Sequence, residues 1–349
     1  MNSGLLARLM AADPAERQWL LLESVLESVP RSVRQAVWAV AVPHWFDDRI
    51  LAALCPELAN QSTEIYQALQ ALSFVEVFEG RGHNIHEATR SLLLNRLWTD
   101  RTDEFKLISA RAAEYFENDE SNVAEWLYHK SIGEPIGDEL GTAMQPLDHN
   151  FRQSESEAIL KALKEQIAAN RVDATVTAEV TYWSGCVHHR FYEADEALEN
   201  YARAIEIYRQ VGARIGEANT LQAIGLVMSQ QGNHRQAIPM VEQSLNIYRE
   251  IGDRYNQANV LKNLAVLYNQ TGRLKECFAL SQESTEIFTE LGLLSYAFPP
   301  WINKLVAFAK QSRIQLILCC VGGVVAFPFM LIALITILLW RLLFGWLKR

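Results

Sequence analysis

The sequence lacks the short motifs that carry most enzyme and cofactor chemistry. It contains no G-x-x-x-x-G-K-[ST] segment, which excludes the P-loop that cradles nucleotide phosphates. The group of His83, His86 and Glu87 does not have the H-E-x-x-H spacing of a zinc site, and we interpret His86 as a residue that opens a helix. The five cysteines form no C-x-x-C pair, so neither a disulfide framework nor a zinc site is predicted. We therefore expect a protein that is not an enzyme and that binds no cofactor or metal.

Acidic residues are missing from the end of the chain, residues 301–349, although the whole protein has a net charge of −9. The same stretch holds six basic residues, namely Lys304, Lys310, Arg313, Arg341, Lys348 and Arg349. A basic tail on an acidic body is typical of a protein that lies against a membrane, because the cytoplasmic leaflet is negatively charged. This distribution does not favour nucleic acid, and no nucleic-acid partner is expected.

A run without charged residues extends from Ile314 to Trp340 and comprises 27 residues. As one straight helix it would measure ~40 Å, longer than the ~30 Å hydrocarbon core of a bilayer, so it must tilt or kink. We predict a single transmembrane segment over 314–345, preceded by a basic juxtamembrane linker over 293–313. A re-entrant hairpin folded at Pro328 and a buried core helix are the alternatives. Because the N-terminus has no secretory signal, the bulk of the chain is expected in the cytoplasm.

Part of the chain repeats itself every forty residues. The pairs Val211-Gly212, Ile251-Gly252 and Leu291-Gly292 recur at this spacing, and aligning 212–251 with 252–291 gives ten identities in forty positions. Each unit contains two runs of helical periodicity that are separated by a turn. An internal repeat of this kind indicates helical hairpins that bury a continuous core by stacking on one another.

The repeat resembles the tetratricopeptide repeat. The family's pattern of a large residue, Leu-Gly, Tyr and Ala has counterparts in the last unit at Leu261, Leu264-Ala265, Tyr268 and Cys277. In the middle unit the pattern falls on Leu221, Ile224-Gly225, Met228 and Ala237. The first unit is more degenerate and retains Ser184-Gly185, His188 and Ala197. The resemblance implies three repeats over 171–292, whose first helices line a concave groove that binds a protein or peptide partner.

By the same resemblance, seven polar residues are expected on the wall of this groove. They are Asn219, Gln222, Gln230, Asn259, Lys262, Asn269 and Gln270. Asn219 and Asn259 occupy matching positions, and a carboxamide can both donate to and accept from the backbone of a bound peptide. The alternative interpretation is that these side chains are merely solvated.

The N-terminal half follows a different pattern. Residues 31–100 are predicted to form three helices, a two-stranded hairpin turning at Gly80-Arg81-Gly82, and a helix that begins at His86-Glu87. Together with the spacing of His86 and Arg90, this order resembles the winged-helix domain that follows the nucleotide-binding module of STAND-type signalling ATPases. The resemblance implies a domain that packs against its neighbours, although the nucleotide-binding module itself is missing.

Winged helices often bind DNA, but the expected recognition element here is acidic. Residues 61–80 contain three glutamates and no lysine or arginine, whereas a helix that neutralised phosphates would need several basic residues. A helix over 1–30 and a helical linker over 101–170 complete the expected organisation. The predicted fold class is mostly α: a winged-helix-like domain, an α-solenoid of tetratricopeptide type and a C-terminal transmembrane helix.

Three functions agree with these features. The favoured one is a membrane-anchored scaffold or adaptor that captures a protein partner in the repeat groove. The second is a membrane-acting effector subunit of a split STAND-type signalling or defence system, whose partner would be a separate P-loop ATPase or effector protein. The third is a membrane-tethered DNA-binding regulator, which the acidic recognition element disfavours.

Overall fold

The structure of the protein is a computed structural model that describes residues 8–117 and 119–293. These residues form two compact units, one ending at Val227 and the other beginning at Met228. Within the described ranges no helix is both long and apolar enough to cross a bilayer. The predicted transmembrane segment, 314–345, and all but the first residue of the predicted linker, 293–313, lie outside the described residues.

The N-terminal elements follow the predicted order. They are α1 (Pro14–Ser28), α2 (Arg31–Val40), α3 (Asp48–Leu54), a 3-10 helix (Pro56–Gln61), α4 (Ser62–Gln70), β1 (Val75–Phe78), β2 (Gly82–Ile85) and α5 (Glu87–Asp100). The 3-10 helix was not predicted, whereas the three helices, the hairpin and the following helix were. The identification of residues 31–100 as a winged helix stays a prediction.

Local chemistry explains two of these boundaries. Helix α3 begins where it does because Oδ1 of Asp47 accepts from the backbone N–H groups of Arg49 at 3.0 Å and Ile50 at 2.8 Å. The hairpin requires glycine at Gly82, where φ is +112° and an added Cβ would lie 2.5 Å from the carbonyl oxygen of Phe46. Both residues are therefore specified by backbone geometry.

Four further helices occupy the predicted linker. They are α6 (Thr102–Phe116), α7 (Val123–Lys130), α8 (Gly137–His149) and α9 (Gln153–Ala168). The core of the first unit has one large cluster in residues 22–132, which includes Phe46, Phe105 and Phe116, and a second around Met144 and Leu163. The expected linker is thus a packed helical layer of its own.

The repeat segment consists of three consecutive helical hairpins. Their helices are α10 (Ala174–Arg190), α11 (Ala194–Val211), α12 (Arg214–Gln230), α13 (His234–Ile251), α14 (Arg254–Gln270) and α15 (Leu274–Glu290). The first helices begin forty residues apart at Ala174, Arg214 and Arg254, and the second helices keep the same interval. The forty-residue period therefore is one helix–turn–helix unit, as predicted.

Glycines that recur at this period end the second helices. Gly212 and Gly252 are the C-caps of α11 and α13 with φ of +71° and +75°, and Gly292 follows α15 with φ of +73°. This left-handed conformation satisfies carbonyl groups at a helix end, and only glycine adopts it without a steric penalty. The recurring Val-Gly, Ile-Gly and Leu-Gly pairs are therefore helix stops.

Close packing accounts for the small residues of the first hairpin. A Cβ added at Gly185 on α10 would lie 2.6 Å from Cε1 of Tyr201 on α11, and the tyrosine is buried together with Ala197. The two helices can approach this closely only because Gly185 has no side chain. Gly185 and Ala197 are also positions that the repeat pattern retains in the first unit.

Candidate functional site

In the first unit, the predicted groove residues Asn219 and Gln222 lie on α12, and both are half-buried. They are flanked on the same helix by two apolar side chains, Ile215 and Leu226, which are 55% and 50% exposed. The spacing of 215, 219, 222 and 226 places all four on one side of the helix, which we call the α12 face. The polar residues therefore do not stand alone but lie between exposed apolar ones.

In the second unit, α14 carries an equivalent set. Asn259 is half-buried and Lys262 is exposed, and they lie between Tyr255 and Val266, which are 40% and 52% exposed. Each of these four positions is forty residues after its counterpart on α12, so the same side of the helix is presented. We call this surface the α14 face. The remaining predicted residues, Gln230, Asn269 and Gln270, are exposed at the ends of α12 and α14.

The apolar members of both faces were missed from the sequence. The sequence analysis did not single out Ile215, Leu226, Tyr255 or Val266, because apolar residues at helical spacing usually face the core. Yet they are offset from the buried stripe, which on α14 runs through Val260, Leu264 and Leu267. The forty-residue recurrence of large apolar residues beside carboxamides was the signal that could have found them.

The first repeat presents a different surface. On α10 the corresponding positions include Glu179, Tyr182 and Cys186, and all three are only partly exposed. The hydroxyl of Tyr201 donates to Sγ of Cys186 at 3.5 Å, and burial raises the pKa of that thiol to about 12. Burial also raises the pKa of Glu179. This helix therefore packs against its neighbours within the unit and offers no exposed apolar ladder.

Polar contacts hold α14 in the second unit. Oγ of Ser284 on α15 donates to the carbonyl oxygen of Ala258 at 2.8 Å, and Arg254 forms an ion pair with Glu290 at 2.6 Å. The hydroxyl of Tyr268 donates to Glu242 on α13. These bonds fix the orientation of α14, so its exposed face is a preformed surface.

A second cluster, which we call the polar junction, lies in the first unit and was not predicted. It consists of His44, Arg90, Glu125, Tyr128, His129 and Glu165. Arg90 on α5 is buried and donates to the carbonyl oxygens of Ala41 and Val42 at 3.1 Å each, and to Oε1 of Glu165 at 2.7 Å. The arginine thereby ties the end of α2 to α5 and α9. Its role is to join the N-terminal elements to the helical layer.

The junction carries strongly shifted pKa values. Nδ1 and Nε2 of His44 lie 2.9 Å from Glu125 and 2.8 Å from Glu165, so both ring nitrogens donate and the imidazole is protonated. Burial by itself lowers the pKa of His44, but the two carboxylates outweigh it and raise this pKa to about 9. Burial raises the pKa of Glu165, but hydrogen bonds from His44 and the charge of Arg90 outweigh it and lower this pKa to about 2. The junction is thus a set of paired charges.

Among the described residues, no group of three histidine, cysteine or acidic side chains is placed to hold a metal ion. The two thiols in the first unit with resolved pKa shifts, Cys55 and Cys186, both have a pKa raised to about 12 by burial, which keeps them protonated and unreactive. The α12 and α14 faces, in contrast, offer the mixture of apolar contact and directional polar groups that recognition surfaces use.

Comparison with known proteins supports the repeat assignment. Residues 177–250 match the tetratricopeptide repeat family. No curated protein matches the sequence closely enough to count as a relative. Among solved structures, the chain is similar to BtubC from P. vanneervenii, with 15% identity over 64% of this chain and 90% of that one and a TM-score of 0.42.

Two further solved structures are similar at 15% identity and a TM-score of 0.39 each. One is a STAND protein with a tetratricopeptide repeat sensor from Pyrococcus horikoshii. The match covers 79% of this chain and 48% of that one. The other is a Rap protein in complex with Competence and Sporulation Factor, matched over 72% of this chain and 69% of that one. By its family match, the segment 177–250 carries tetratricopeptide repeats.

Proposed function

We propose that this protein is a non-enzymatic interaction scaffold whose α12 face and α14 face can each bind a peptide segment of a partner protein. The observation that supports this most directly is the recurrence, at an interval of forty residues, of a carboxamide between two exposed apolar side chains. A surface that served only to be solvated would have no reason to repeat the apolar positions. Exposed apolar side chains beside fixed polar groups are typical of binding surfaces.

The proposed ligand is an extended peptide with apolar side chains. Each face has one carboxamide, Asn219 on α12 or Asn259 on α14, that can donate to and accept from the backbone of the peptide bound there. Leu226 and Val266 are about half exposed, so covering each would contribute on the order of 1 kcal/mol. The polar groups then supply specificity, while the apolar ones supply much of the affinity.

We further propose that residues 314–345 anchor the protein in a membrane and leave its repeats in the cytoplasm. The support for this is the uncharged run Ile314–Trp340 and the basic residues on either side of it. Anchoring would concentrate a captured partner at the membrane surface. A separate STAND-type ATPase or its effector is the partner class that the sequence resemblance suggests.

The test is partner capture followed by affinity measurement. Crosslinking the intact protein in membranes and purifying it would identify partners, whose binding would then be measured with Asn219→Ala/Asn259→Ala. Each lost hydrogen bond should weaken binding by about 0.5–1.5 kcal/mol, which is several-fold per site. Leu226→Ser/Val266→Ser should weaken it by a similar amount, since partly exposed apolar contacts are lost.

A matched control is available on α13. Gln243 and Asn246 are exposed amides on a second helix, so Gln243→Ala/Asn246→Ala removes two carboxamides without touching either face. This variant should bind as the wild type does. If Asn219→Ala/Asn259→Ala and the control bind every captured partner equally well, the two faces are not the binding surface.

A further inference from the structure

In the second unit, α15 is the last helix that the structure describes, and one side of it exposes large apolar residues. Leu274 is 65% exposed and Phe278 is 73% exposed. The two residues lie one turn apart on the same side of the helix, which we call the α15 face. The last hairpin of a repeat array usually carries a polar outer side, because no further hairpin covers it. The α15 face departs from this rule.

The equivalent positions on the preceding second helix are buried. Phe278 lies forty residues after Ile238 of α13, which is buried together with Leu245 on the same helix. Helix α13 is followed by α14, and the two helices pack against each other within the second unit. Among the described residues no helix follows α15. Phe278 therefore has the apolar character of a position that is buried where another helix follows.

The turn after α15 repeats the turn after α13. Gly292 has φ of +73°, and the backbone N–H of Leu293 donates to the carbonyl oxygen of Phe288 at 2.7 Å. After α13, Gly252 has φ of +75°, and the N–H of the next residue makes the corresponding bond at 3.0 Å. There the turn leads into α14, which packs against α13. The chain that leaves α15 is therefore directed in the same way, toward the helix that it has just left.

An amphipathic segment follows in the sequence, outside the described residues. Pro299 and Pro300 prevent a helix in register with α14, since they fall forty residues after positions in its interior. Pro300 instead suits the first turn of a helix that begins there. From that point apolar residues recur at the spacing of one helix side. They are Trp301, Ile302, Leu305, Val306, Phe308 and Ala309.

This segment can reach the α15 face, and its charge is complementary to that of α15. Ten residues, 291–300, separate it from the end of α15 and span up to roughly 33 Å when extended. Phe278 lies twelve residues before Glu290, which is about 18 Å along the helix. Helix α15 contains four glutamates and one lysine, whereas residues 301–313 contain three basic residues and no acidic one. Reach and charge therefore both favour this segment as the occupant.

We propose that residues 301–313 form an amphipathic helix that packs its apolar side on the α15 face and covers Leu274 and Phe278. Lys304 and Lys310 flank the apolar side of this helix, so that either can approach the exposed Glu286 of α15. The segment thereby takes the place of a further repeat and removes an apolar surface from water. This docking depends neither on peptide binding at the α12 and α14 faces nor on the proposed membrane anchor.

Thiol labelling of the full-length protein in detergent tests whether the α15 face is covered. Ser281→Cys places a thiol one turn after Phe278, and Gln243→Cys places one on α13; both positions are exposed in the described structure. A water-soluble maleimide should label Ser281→Cys several-fold more slowly than Gln243→Cys, because the docked segment shields it. Mass spectrometry of the digested protein separates these sites from the native cysteines. Equal labelling rates would overturn the proposal.

Variants of the segment then show whether it is the occupant. Leu305→Ser/Val306→Ser disrupts the apolar side and should raise the labelling rate of Ser281→Cys to that of Gln243→Cys. The matched control Asn303→Ser/Gln311→Ser changes the polar side and should leave labelling slow. Labelling that stays slow in Leu305→Ser/Val306→Ser would refute the assignment. Light scattering of the same samples should show that slow labelling persists in the monomer; slow labelling confined to a dimer would overturn the proposal and assign the α15 face to a second copy of the chain.

Discussion

Replacing Gly185 by alanine tests whether the first helical hairpin depends on the absence of a single side chain. The added Cβ would lie 2.6 Å from Cε1 and 2.7 Å from Cδ1 of Tyr201. Since carbon atoms in contact are separated by about 3.5–4.0 Å, the ring and the helix must move apart by roughly 1 Å. The ring cannot simply rotate away, because Tyr201 is fully buried.

The net effect is the difference of two terms. Overpacking of this kind costs about 1–3 kcal/mol, whereas alanine in place of glycine inside a helix stabilises by about 0.5–1 kcal/mol. We expect Gly185→Ala to lower the free energy of unfolding by about 1–2 kcal/mol. Urea unfolding followed by circular dichroism would measure this as a lower transition midpoint.

Gly141 provides the matched control. It also lies inside a helix of the first unit, α8, but a Cβ there would meet its nearest neighbour, Cζ2 of Trp183, at 4.0 Å, an ordinary contact. Gly141→Ala should therefore raise the free energy of unfolding by about 0.5–1 kcal/mol. The double variant Gly185→Ala/Tyr201→Leu should lose less free energy of unfolding than the two single variants lose together, because the smaller side chain relieves the clash. If Gly185→Ala proved as stable as Gly141→Ala, the close approach of α10 and α11 would be refuted.

Two further predictions concern the polar junction and the membrane. The pKa of His44 is about 9 in the folded protein, above its ordinary value of 6.5. The stabilisation that protonated His44 contributes is therefore complete below pH 6.5 and is lost as the pH rises through 9. The pKa of Glu165 is about 2 in the folded protein, below its ordinary value of 4.5. The stabilisation that ionised Glu165 contributes is therefore present above pH 4.5 and is lost as the pH falls through 2. The urea concentration at the unfolding midpoint should therefore decrease as the pH is raised from about 7 to about 9.5. His44→Gln should make this midpoint depend less on pH, and an unchanged pH dependence in the variant would contradict the assignment. The full-length protein should resist carbonate extraction from membranes, whereas a chain ending at Lys310 should be soluble. If the truncated chain still behaved as an integral membrane protein, a single C-terminal anchor would be ruled out.

The repeat architecture could be predicted from the sequence because its causes are local. The apolar period of each helix, the turn and the glycine that ends the second helix all lie within forty residues. Asp47 as a helix cap and the hairpin at Gly80-Arg81-Gly82 were predictable for the same reason. In each case a few neighbouring residues specify the backbone conformation.

The candidate binding faces were predicted only in part. Asn219 and Asn259 were named from the repeat resemblance and their matching positions, and their role in binding stays a prediction. The exposed apolar residues beside them, Leu226 and Val266, were not named. Sequence periodicity identifies a helix and its main apolar stripe. It does not show which apolar residues lie outside the contact area with the next helix, because that depends on how the hairpins pack.

The polar junction was decided by tertiary structure alone. His44, in the turn after α2, and Glu165, on α9, are 121 positions apart, and Arg90 on α5 donates to Glu165. The local sequence marks Arg90 by its spacing from His86, but nothing in it shows that Arg90, His44 and Glu165 come together, since the same side chains on a solvated surface would form an equally ordinary pattern. Their pairing follows from burial, because removal from water makes each charge depend on a partner. The sequence by itself determined the helices and their period, and packing determined which polar groups meet.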